Sequence, residues 1–460
     1  MNFKSRIIIG CLLGVCTLQV SAEKTYKYRI NLRDKAETAY SVGSPQAYLS
    51  ERALERRERQ GLKVDETDLP VCRTYIDAII GKGASVVTKS KWNNTVVVEV
   101  VDTALIEQIA RLPFVTKTKK VWTSPDSIPA RNPERRKEVT NKFSKTDNYY
   151  GQAYRQIAVH RGDSLHAAGF KGEGMQIAVI DAGFYNADEM KFFKKMHLLG
   201  IRDFVNPQSD IYAENYHGMK VLSCLAANQP DVLVGTAPEA SYWLLRSEDD
   251  DTEQPVEEDY WAAALEFADS VGVDVVSSSL GYFSFDVEAL NYHQDQLDGR
   301  TSLISRAAKM ASSKGILLFS SAGNEGGGSW GKITFPADAP DILTVGAITD
   351  RKKKSNFSSV GFTADYRVKP DVVALGTGCC VIDPTGNIRY ANGTSFATPI
   401  LAGLGVCLWQ AFPSLTNKDI ISLLQRFGSK FEQPDAELGY GIPDVYKAYK
   451  QERKYAAESK

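Results

Sequence analysis

The sequence predicts an α/β fold: a doubly wound parallel sheet with helices on both faces, preceded by a small α+β domain. From Tyr150 onward, short runs of apolar residues alternate with segments of helical spacing, and this alternation is typical of parallel sheets. The apolar runs are nearly uninterrupted, as expected of strands that are buried on both faces. The chain has 460 residues, of which 43% are apolar, and this is enough for a large core.

The strands and helices of the larger unit follow one another along the chain. The predicted strands are 176–180, 242–245, 273–276, 316–319 and 342–345. The predicted helices are 217–227, 260–270, 301–313, 395–409 and 416–427. We expect this unit to occupy residues 149–450 and to be followed by a charged tail at 451–460.

Residues 23–121 predict the small α+β domain. Strands are indicated by the alternation at 28–32 and the β-branched run at 95–100, and an extended piece begins at Val115. Helices are indicated at 50–57, where Ser50 is the cap, and at 104–110. Residues 122–148 are polar, basic and interrupted by proline, and so predict an exposed linker that proteases cleave.

The first 22 residues have the features of a secretory signal peptide. Lys4 and Arg6 precede an apolar run at 7–20, and Val20-Ser21-Ala22 fits a cleavage site. The run is too short for a membrane anchor, and no internal apolar run reaches spanning length. The alternative is an uncleaved anchor or a buried helix, and the short run before Cys11 disfavours lipid anchoring. We expect an exported protein, periplasmic or extracellular, without a membrane span in the mature chain.

Net charge and cysteine content bear on nucleic-acid binding and on disulfide formation. The net charge of −1 gives no sign of nucleic-acid binding. Removal of the signal peptide leaves an odd number of cysteines, so at least one thiol is free or pairs between molecules. These are Cys72, Cys224, Cys379, Cys380 and Cys407. The adjacent Cys379 and Cys380 form a vicinal disulfide or lie on opposite sides of an extended segment, and the sequence leaves both open.

Two candidate catalytic residues stand at the ends of predicted elements. Asp181 ends the first apolar strand of the larger unit, and sites in open parallel sheets gather at the carboxyl ends of strands. His217 begins a helix of small residues, and Gly218 after it allows another backbone, such as a substrate strand, to approach closely. Taken alone, Asp181 is more often a turn or cap residue, and His217 is more often a structural or surface residue.

Ser395 and Asn324 extend this set. Ser395 lies where a turn leads into an apolar helix, and free N–H groups at a helix N-terminus stabilise an oxyanion beside a nucleophile. A helix cap is its alternative role. Asn324 follows the strand 316–319 among glycines. Its amide is a candidate second oxyanion donor, and its alternative role is that of a loop asparagine with left-handed backbone.

Four short segments around these residues occur in the order shown by the subtilase family of serine peptidases. They are Asp181-x-Gly, His217-Gly, Ala-Gly-Asn324 and Gly-Thr-Ser395-x-Ala-Thr-Pro. The chain resembles this family from about Tyr150 to Tyr449, and its order Asp…His…Ser is that of subtilisin. The resemblance implies a subtilisin-like fold and a secreted serine endopeptidase that forms an acyl-enzyme.

The resemblance also assigns roles. Ser395 is the expected nucleophile, His217 the general base, and Asp181 the carboxylate that orients the imidazole. Asn324 and the Ser395 N–H are the expected oxyanion hole. The residues expected to bind a polypeptide substrate are Ser279, Leu280, Gly281, Ser321, Ala322 and Gly323.

Residues 23–121 resemble, more loosely, the propeptide of subtilases from Bacteroidetes-type bacteria. The resemblance rests on the segments 50–57, 68–71 and 90–93. It implies that the chain's own propeptide covers the cleft as an intramolecular inhibitor and assists folding. We expect it to be cut away within 122–148.

Some residues depart from the family pattern or leave their role open. Met219 and Lys220 stand where the family often has threonine and a small or polar residue, and we expect them to alter nearby subsites. Cys224 falls on the same face of the predicted helix as His217. It is either a thiol near the site or a small core residue. An acidic run at 248–259 borders the cleft by resemblance. Three roles are open for this run: it favours basic substrates, it holds Ca²⁺ through its carboxylate oxygens, or it is a solvated loop. The chemistry requires no cofactor, structural Ca²⁺ is compatible with the family, and no metal ligand is assigned.

Three other functions compete with this interpretation. A catalytically impaired subtilase that binds peptides is the main alternative, although every catalytic position is occupied. An α/β-hydrolase esterase needs Gly-x-Ser-x-Gly and the order Ser…Asp…His, and both are missing. A dinucleotide enzyme is disfavoured because Gly172-Glu173-Gly174 precedes a strand instead of following one.

Overall fold

The computed structural model describes residues 23–126 and 136–458, so the predicted signal peptide lies outside the described residues. The first unit has an antiparallel sheet in the order β2-β3-β1-β4. Its strands are β1 (Tyr26–Leu32), β2 (Ser85–Ser90), β3 (Thr95–Val100) and β4 (Val115–Thr123). Its helices are α1 (Glu51–Arg59), α2 (Arg73–Ile80) and α3 (Ala104–Ala110). Strand β4 passes the predicted boundary at 121 by two residues.

Strand β3 contributes to two cores because successive side chains point to opposite faces. Val96 and Val98 pack in the core of the first unit. Val97 instead packs in a core shared with the second unit, together with Val121 and Trp122 of β4. One face of this small sheet is therefore covered by its own helices and the other by the second unit.

The second unit is built on a seven-stranded sheet in the order β13-β12-β11-β10-β5-β9-β6, and all its strand pairs are parallel. The strands are β5 (Gln176–Asp181), β6 (His197–Asp203), β9 (Ser241–Arg246), β10 (Val275–Ser278), β11 (Leu317–Ser321), β12 (Leu343–Ile348) and β13 (Val372–Leu375). Two short hairpins lie outside it, β7 (Asn228–Gln229) with β8 (Leu233–Val234) and β14 (Cys379–Ile382) with β15 (Ile388–Ala391). The helices are α4 (Tyr154–Ala158), α5 (Gly162–Ala167), α6 (His217–Ala226), α7 (Val256–Ser270), α8 (Leu303–Ser313), α9 (Thr394–Ala411), α10 (Asn417–Arg426) and α11 (Val445–Glu458).

Helices cover both faces of the large sheet. Ile177 and Val179 of β5 belong to one core, with helices α6 and α9. Ala178 and Ile180 belong to the other core, with helices α7 and α8. The predicted α/β fold with a doubly wound parallel sheet is therefore confirmed, and the bounds of the predicted elements shift by a few residues.

The C-terminal segment of the described chain is helical. Residues 451–458, expected as a charged tail, continue the last helix, which buries Val445, Ala448 and Tyr449 along one side. Among the described residues, α9 is long and apolar enough to cross a membrane by composition, but it is almost wholly buried in the molecule. That burial identifies α9 as a core helix of the second unit.

Buried ion pairs join the two units. Arg29 of β1 binds the carboxylate of Asp259 with both Nε and Nη2, at 2.7 and 2.6 Å. Asp269 of α7 accepts from Arg56 at 2.5 Å and from Arg57 at 2.9 Å, and both arginines are fully buried. These contacts fix the first unit to helix α7 of the second unit.

Candidate active site

Asp181 and His217 meet at the carboxyl end of the sheet. Asp181 is the last residue of β5, and His217 is the first residue of α6. The Nδ1 atom of His217 lies 2.7 Å from Oδ1 of Asp181, which also accepts the N–H of Ala182 at 2.8 Å. Asp181 is fully buried. Because its carboxylate binds Nδ1 of the imidazole, the other ring nitrogen, Nε2, is available to a group in the cleft.

The surroundings of His217 affect its protonation. Burial lowers the pKa of this imidazole, but the charge of Asp181 and its hydrogen bond outweigh burial and hold the pKa above its ordinary value. The backbone N–H of His217 donates to Oδ1 of Asn215 at 2.7 Å. The ring is therefore positioned both by its side chain and by the start of its helix.

Ser395 lies in the first turn of α9, after Gly393 and Thr394. The N-cap of this helix is Gly393, so Ser395 does not have the alternative role of helix cap. Within the described residues, its hydroxyl donates to the carbonyl of Ser279 at 3.5 Å and not to His217. The two side chains line the same cleft, and a rotation about the Cα–Cβ bond of Ser395 redirects the hydroxyl.

Asn324 contacts the start of α9. Its Oδ1 accepts the backbone N–H and the hydroxyl of Thr394 at 2.9 and 3.0 Å. Because the oxygen is fixed in this way, the amide nitrogen is left to donate elsewhere. Asn324 is exposed and lines the cleft beside Ser395, so its amide has access to a bound ligand.

A cleft of about 610 Å³ contains most of the residues predicted to bind substrate. Its lining includes Ser279, Leu280, Gly281, Ser321 and Gly323. Ala322 was predicted with them but does not line it. Its N–H donates to Val345 at 3.0 Å and its carbonyl accepts from Thr334 at 3.1 Å, so its backbone belongs to the packing behind the cleft.

Two glycines keep the cleft floor open around Thr334. A Cβ on Gly281 would lie 2.1 Å from Oγ1 of Thr334, and one on Gly323 would lie 3.0 Å from it. Gly323 also has a φ of +102°, a backbone conformation that favours glycine. Thr334 was not among the predicted site residues, because it follows an irregular segment and reaches the cleft only through tertiary packing.

Gly218 and the two residues after it pack against other parts of the second unit. A Cβ on Gly218 would lie 2.5 Å from the carbonyl of Gly183 and 2.8 Å from Cβ of Asp181. The glycine therefore lets α6 approach the end of β5, and the approach of a substrate strand stays a prediction. Met219 is fully buried in the core, and Lys220 stacks on the Tyr216 ring at 4.3 Å. Neither residue lines the cleft.

All five cysteines of the described chain are free and buried. Cys224 packs in the core of the second unit, which favours its role as a small core residue. Cys379 and Cys380 are consecutive residues of strand β14, so they lie on its opposite sides. Burial raises the pKa of the Cys380 thiol to about 12, so it stays protonated at neutral pH.

The acidic run at 248–259 divides into two parts. Residues 248–253 form a loop along the cleft. Glu257, Glu258 and Asp259 instead form the first turn of α7, where they are buried and carboxylates are favoured by the helix dipole. Glu257 reaches the cleft, whereas Asp259 faces the first unit. Among the described residues, no group of three or more His, Cys, Asp or Glu side chains converges to hold a metal ion.

Each unit of the chain matches a known protein family. Residues 172–441 match the Subtilase family, and residues 27–147 match the Peptidase S8 propeptide domain, Bacteroidota. Subtilisin NAT from Bacillus subtilis subsp. natto is 29% identical over 272 residues, covering 58% of this chain and 64% of that protein. Subtilisin DY from Bacillus licheniformis is 28% identical over 270 residues, covering 57% of this chain and 87% of that protein.

A third relative has the same level of similarity. Serine protease AprX from Bacillus subtilis (strain 168) is 29% identical over 320 residues, covering 60% of this chain and 65% of that protein. The chain thus spans just under two thirds of the length of subtilisin NAT and AprX. In each comparison the similarity covers more than half of this chain.

Proposed function

Because the chain belongs to the subtilase family, we propose that it is a secreted serine endopeptidase made as a self-inhibited precursor. The observation that carries the proposal is the 2.7 Å hydrogen bond between Asp181 and His217, at a cleft that Ser395 also lines. This arrangement supplies an oriented imidazole beside a hydroxyl, which is what acyl transfer to serine needs.

The proposed reaction begins when the hydroxyl of Ser395 turns from Ser279 toward His217. Nε2 of His217 takes the hydroxyl proton as the oxygen attacks the peptide carbonyl, and later returns it to the leaving amine. Asp181 keeps Nδ1 protonated and stabilises the imidazolium without taking the proton itself. The amide of Asn324 and the N–H of Ser395 stabilise the tetrahedral oxyanion. Water then hydrolyses the acyl-enzyme, and catalysis needs no cofactor.

The first unit is proposed to act as the propeptide and inhibitor of this enzyme. At the end of β4, the Trp122 indole donates to Thr252 at 3.1 Å and the Thr123 N–H donates to Gln254 at 2.8 Å. Thr252 lies in the loop that lines the cleft, and Gln254 directly follows this loop. The chain that leaves β4 therefore starts next to the cleft, which supports inhibition by occupation and cleavage in the linker that follows.

The proposed organisation of the precursor follows from these roles. Residues 1–22 are the signal peptide, 23–121 with the end of β4 are the propeptide, and 122–148 contain the maturation site. The catalytic unit begins at about 149 and includes the last helix, up to Glu458. Export to the periplasm or the medium is proposed from the signal peptide, and the proposed partners are polypeptide substrates and the propeptide.

Labelling with a fluorophosphonate tests the proposal. The processed protein should be labelled at one serine and should hydrolyse peptides, and Ser395→Ala and His217→Ala should both lose the label. Ser321→Ala is the matched control, because Ser321 lines the same cleft without an activating base, and it should still be labelled. Peptide binding without labelling or hydrolysis would favour the alternative of an impaired, peptide-binding subtilase.

A further inference from the structure

One wall of the cleft is made of carboxyl groups. Glu248, Asp249, Glu253, Glu257 and Asp286 all line it, together with the candidate nucleophile and base. Four of them come from the loop after β9 and the first turn of α7, and Asp286 comes from the segment after β10. Carboxyl groups from separate parts of the chain are thus collected on one side of the site.

Neutral donors hold these groups. The hydroxyl of Tyr282 donates to Glu248. The backbone N–H groups of Asp249 and Gln254 donate to Glu257 at 2.8 and 3.3 Å. In residues 23–126 and 136–458, no ion pair joins any of the five carboxyl groups to a lysine or arginine. The buried carboxylates that join the two units differ, since Asp269 has three cations within 3.0 Å.

Crowding without a cation is unfavourable for two of these groups. Burial raises the pKa of Glu248; the hydrogen bond from Tyr282 opposes this, and the negative charge of Glu253 adds to it. Burial also raises the pKa of Glu257, and the charges of Glu248 and Glu253 raise it further. A positive charge placed between them would remove this penalty, because it favours both ionised forms. The wall therefore provides a driving force for binding a cation.

The hydroxyl group of Thr334 lies at the floor of the cleft. Thr334 is only 3% exposed, and its Oγ1 atom has no hydrogen-bond partner in the part of the chain that the structure describes. This oxygen lies where a Cβ of Gly281 or Gly323 would stand. Buried hydroxyls are normally hydrogen-bonded, so a polar group of a ligand is the expected partner.

We propose that the cleft recognises a basic side chain of the substrate, arginine or lysine, which binds against Glu248 and Glu257. The proposal rests on the proposed peptidase function and adds a substrate class to it. The chain itself contains a segment of matching charge, since residues 131–137 of the predicted linker read Arg-Asn-Pro-Glu-Arg-Arg-Lys. This segment follows β4, which ends beside the acidic loop.

Matched peptides test the proposal with the mature enzyme. Each pair differs only in arginine or citrulline, a neutral side chain of nearly the same shape, at one of the four positions on either side of the scissile bond. At one position kcat/KM should be about 10- to 100-fold higher for arginine, the range for a hydrogen bond between charged groups. Glu248→Gln and Glu257→Gln should each bring this ratio towards one. The matched control is Glu173→Gln, an exposed carboxylate outside the cleft, which should keep the ratio.

The outcomes separate this proposal from the proposed function. If the enzyme cleaves citrulline peptides and shows no preference for arginine at any position, the proposal is overturned and the peptidase function stands. A preference that survives in both glutamine variants would overturn it as well. If a chelator lowers the melting temperature and Glu248→Gln abolishes that effect, the wall binds a metal ion and the proposal fails. The absence of both fluorophosphonate labelling and peptide hydrolysis would instead refute the peptidase function.

Discussion

Asp269 is the centre of the charged contact between the propeptide and the catalytic unit. It is fully buried, and it accepts from Arg56 at 2.5 Å, from Arg57 at 2.9 Å and from Lys91 at 3.0 Å. Asp269→Asn removes the charge while keeping the size of the side chain. Two buried guanidinium groups and one ammonium group then lose their shared partner, although Arg57 keeps its contact with Asp68 at 2.8 Å.

The size of the effect follows from the cost of an unpaired buried charge. Removing one partner of a buried ion pair costs about 3–5 kcal/mol. Since about 1.4 kcal/mol changes an equilibrium constant tenfold, binding of the propeptide should weaken by about 150- to 5,000-fold. The asparagine oxygen still accepts one hydrogen bond, so we expect a value near the lower end.

The inhibition constant of the separately produced propeptide against the mature enzyme measures this change. The kcat/KM of the Asp269→Asn enzyme should equal that of the parent, since the side chain lies outside the cleft. Asp77→Asn in the propeptide is the control. Asp77 forms an exposed pair with Arg73 at 2.8 Å, and such pairs contribute about 0–1 kcal/mol. A change below tenfold for Asp269→Asn would refute the view that these buried charges hold the units together.

Three further predictions concern the candidate catalytic residues. Asn324→Ala should lower kcat by about 10²–10³, the loss known for the oxyanion asparagine of subtilisin, and a normal rate would remove Asn324 from the mechanism. In Asp181→Asn, the residual kcat/KM should still rise with pH, but the pH at the midpoint of this rise should be lower than in the parent. The reason is that the carboxylate that raises the pKa of His217 is gone, whereas burial, which lowers that pKa, remains. An unchanged midpoint in the pH profile would contradict this. Ser395→Ala should leave the precursor uncut on a gel, and N-terminal sequencing of the parent should place cleavage within 122–148. Normal maturation of Ser395→Ala would mean that another protease performs it.

Local sequence signals were sufficient for the residues that end a strand or begin a helix. Asp181, His217 and Ser395 each stand at such a point, and the order of their motifs identifies the family. Local signals failed for the edge strand β6, which is half exposed and has no continuous apolar run. Gly200 interrupts it because a Cβ there would lie 2.5 Å from the ring of Trp243, and this partner is distant in sequence.

Other parts of the site depend on contacts that a single sequence does not contain. The acidic run looks continuous in sequence, but α7 begins inside it and turns Asp259 toward Arg29, 230 residues earlier in the chain. The hydroxyl of Thr334 reaches the cleft floor only because Gly281 and Gly323 leave room for it. Such placements follow from tertiary packing, so no periodicity or spacing indicates them.

Because strand β3 contributes to two cores, the stability of the first unit depends on whether it is bound to the second. Once the linker is cut and the propeptide leaves, Val97, Val121 and Trp122 lose the second unit that covers them. The departing domain then exposes an apolar stripe on the open side of its sheet while keeping only its own small core. We expect a domain weakened in this way to unfold locally more often, and therefore to be digested more easily by the proposed peptidase. The apolar side chains that stabilise docking should thus be the same ones that make the separated domain vulnerable to proteolysis.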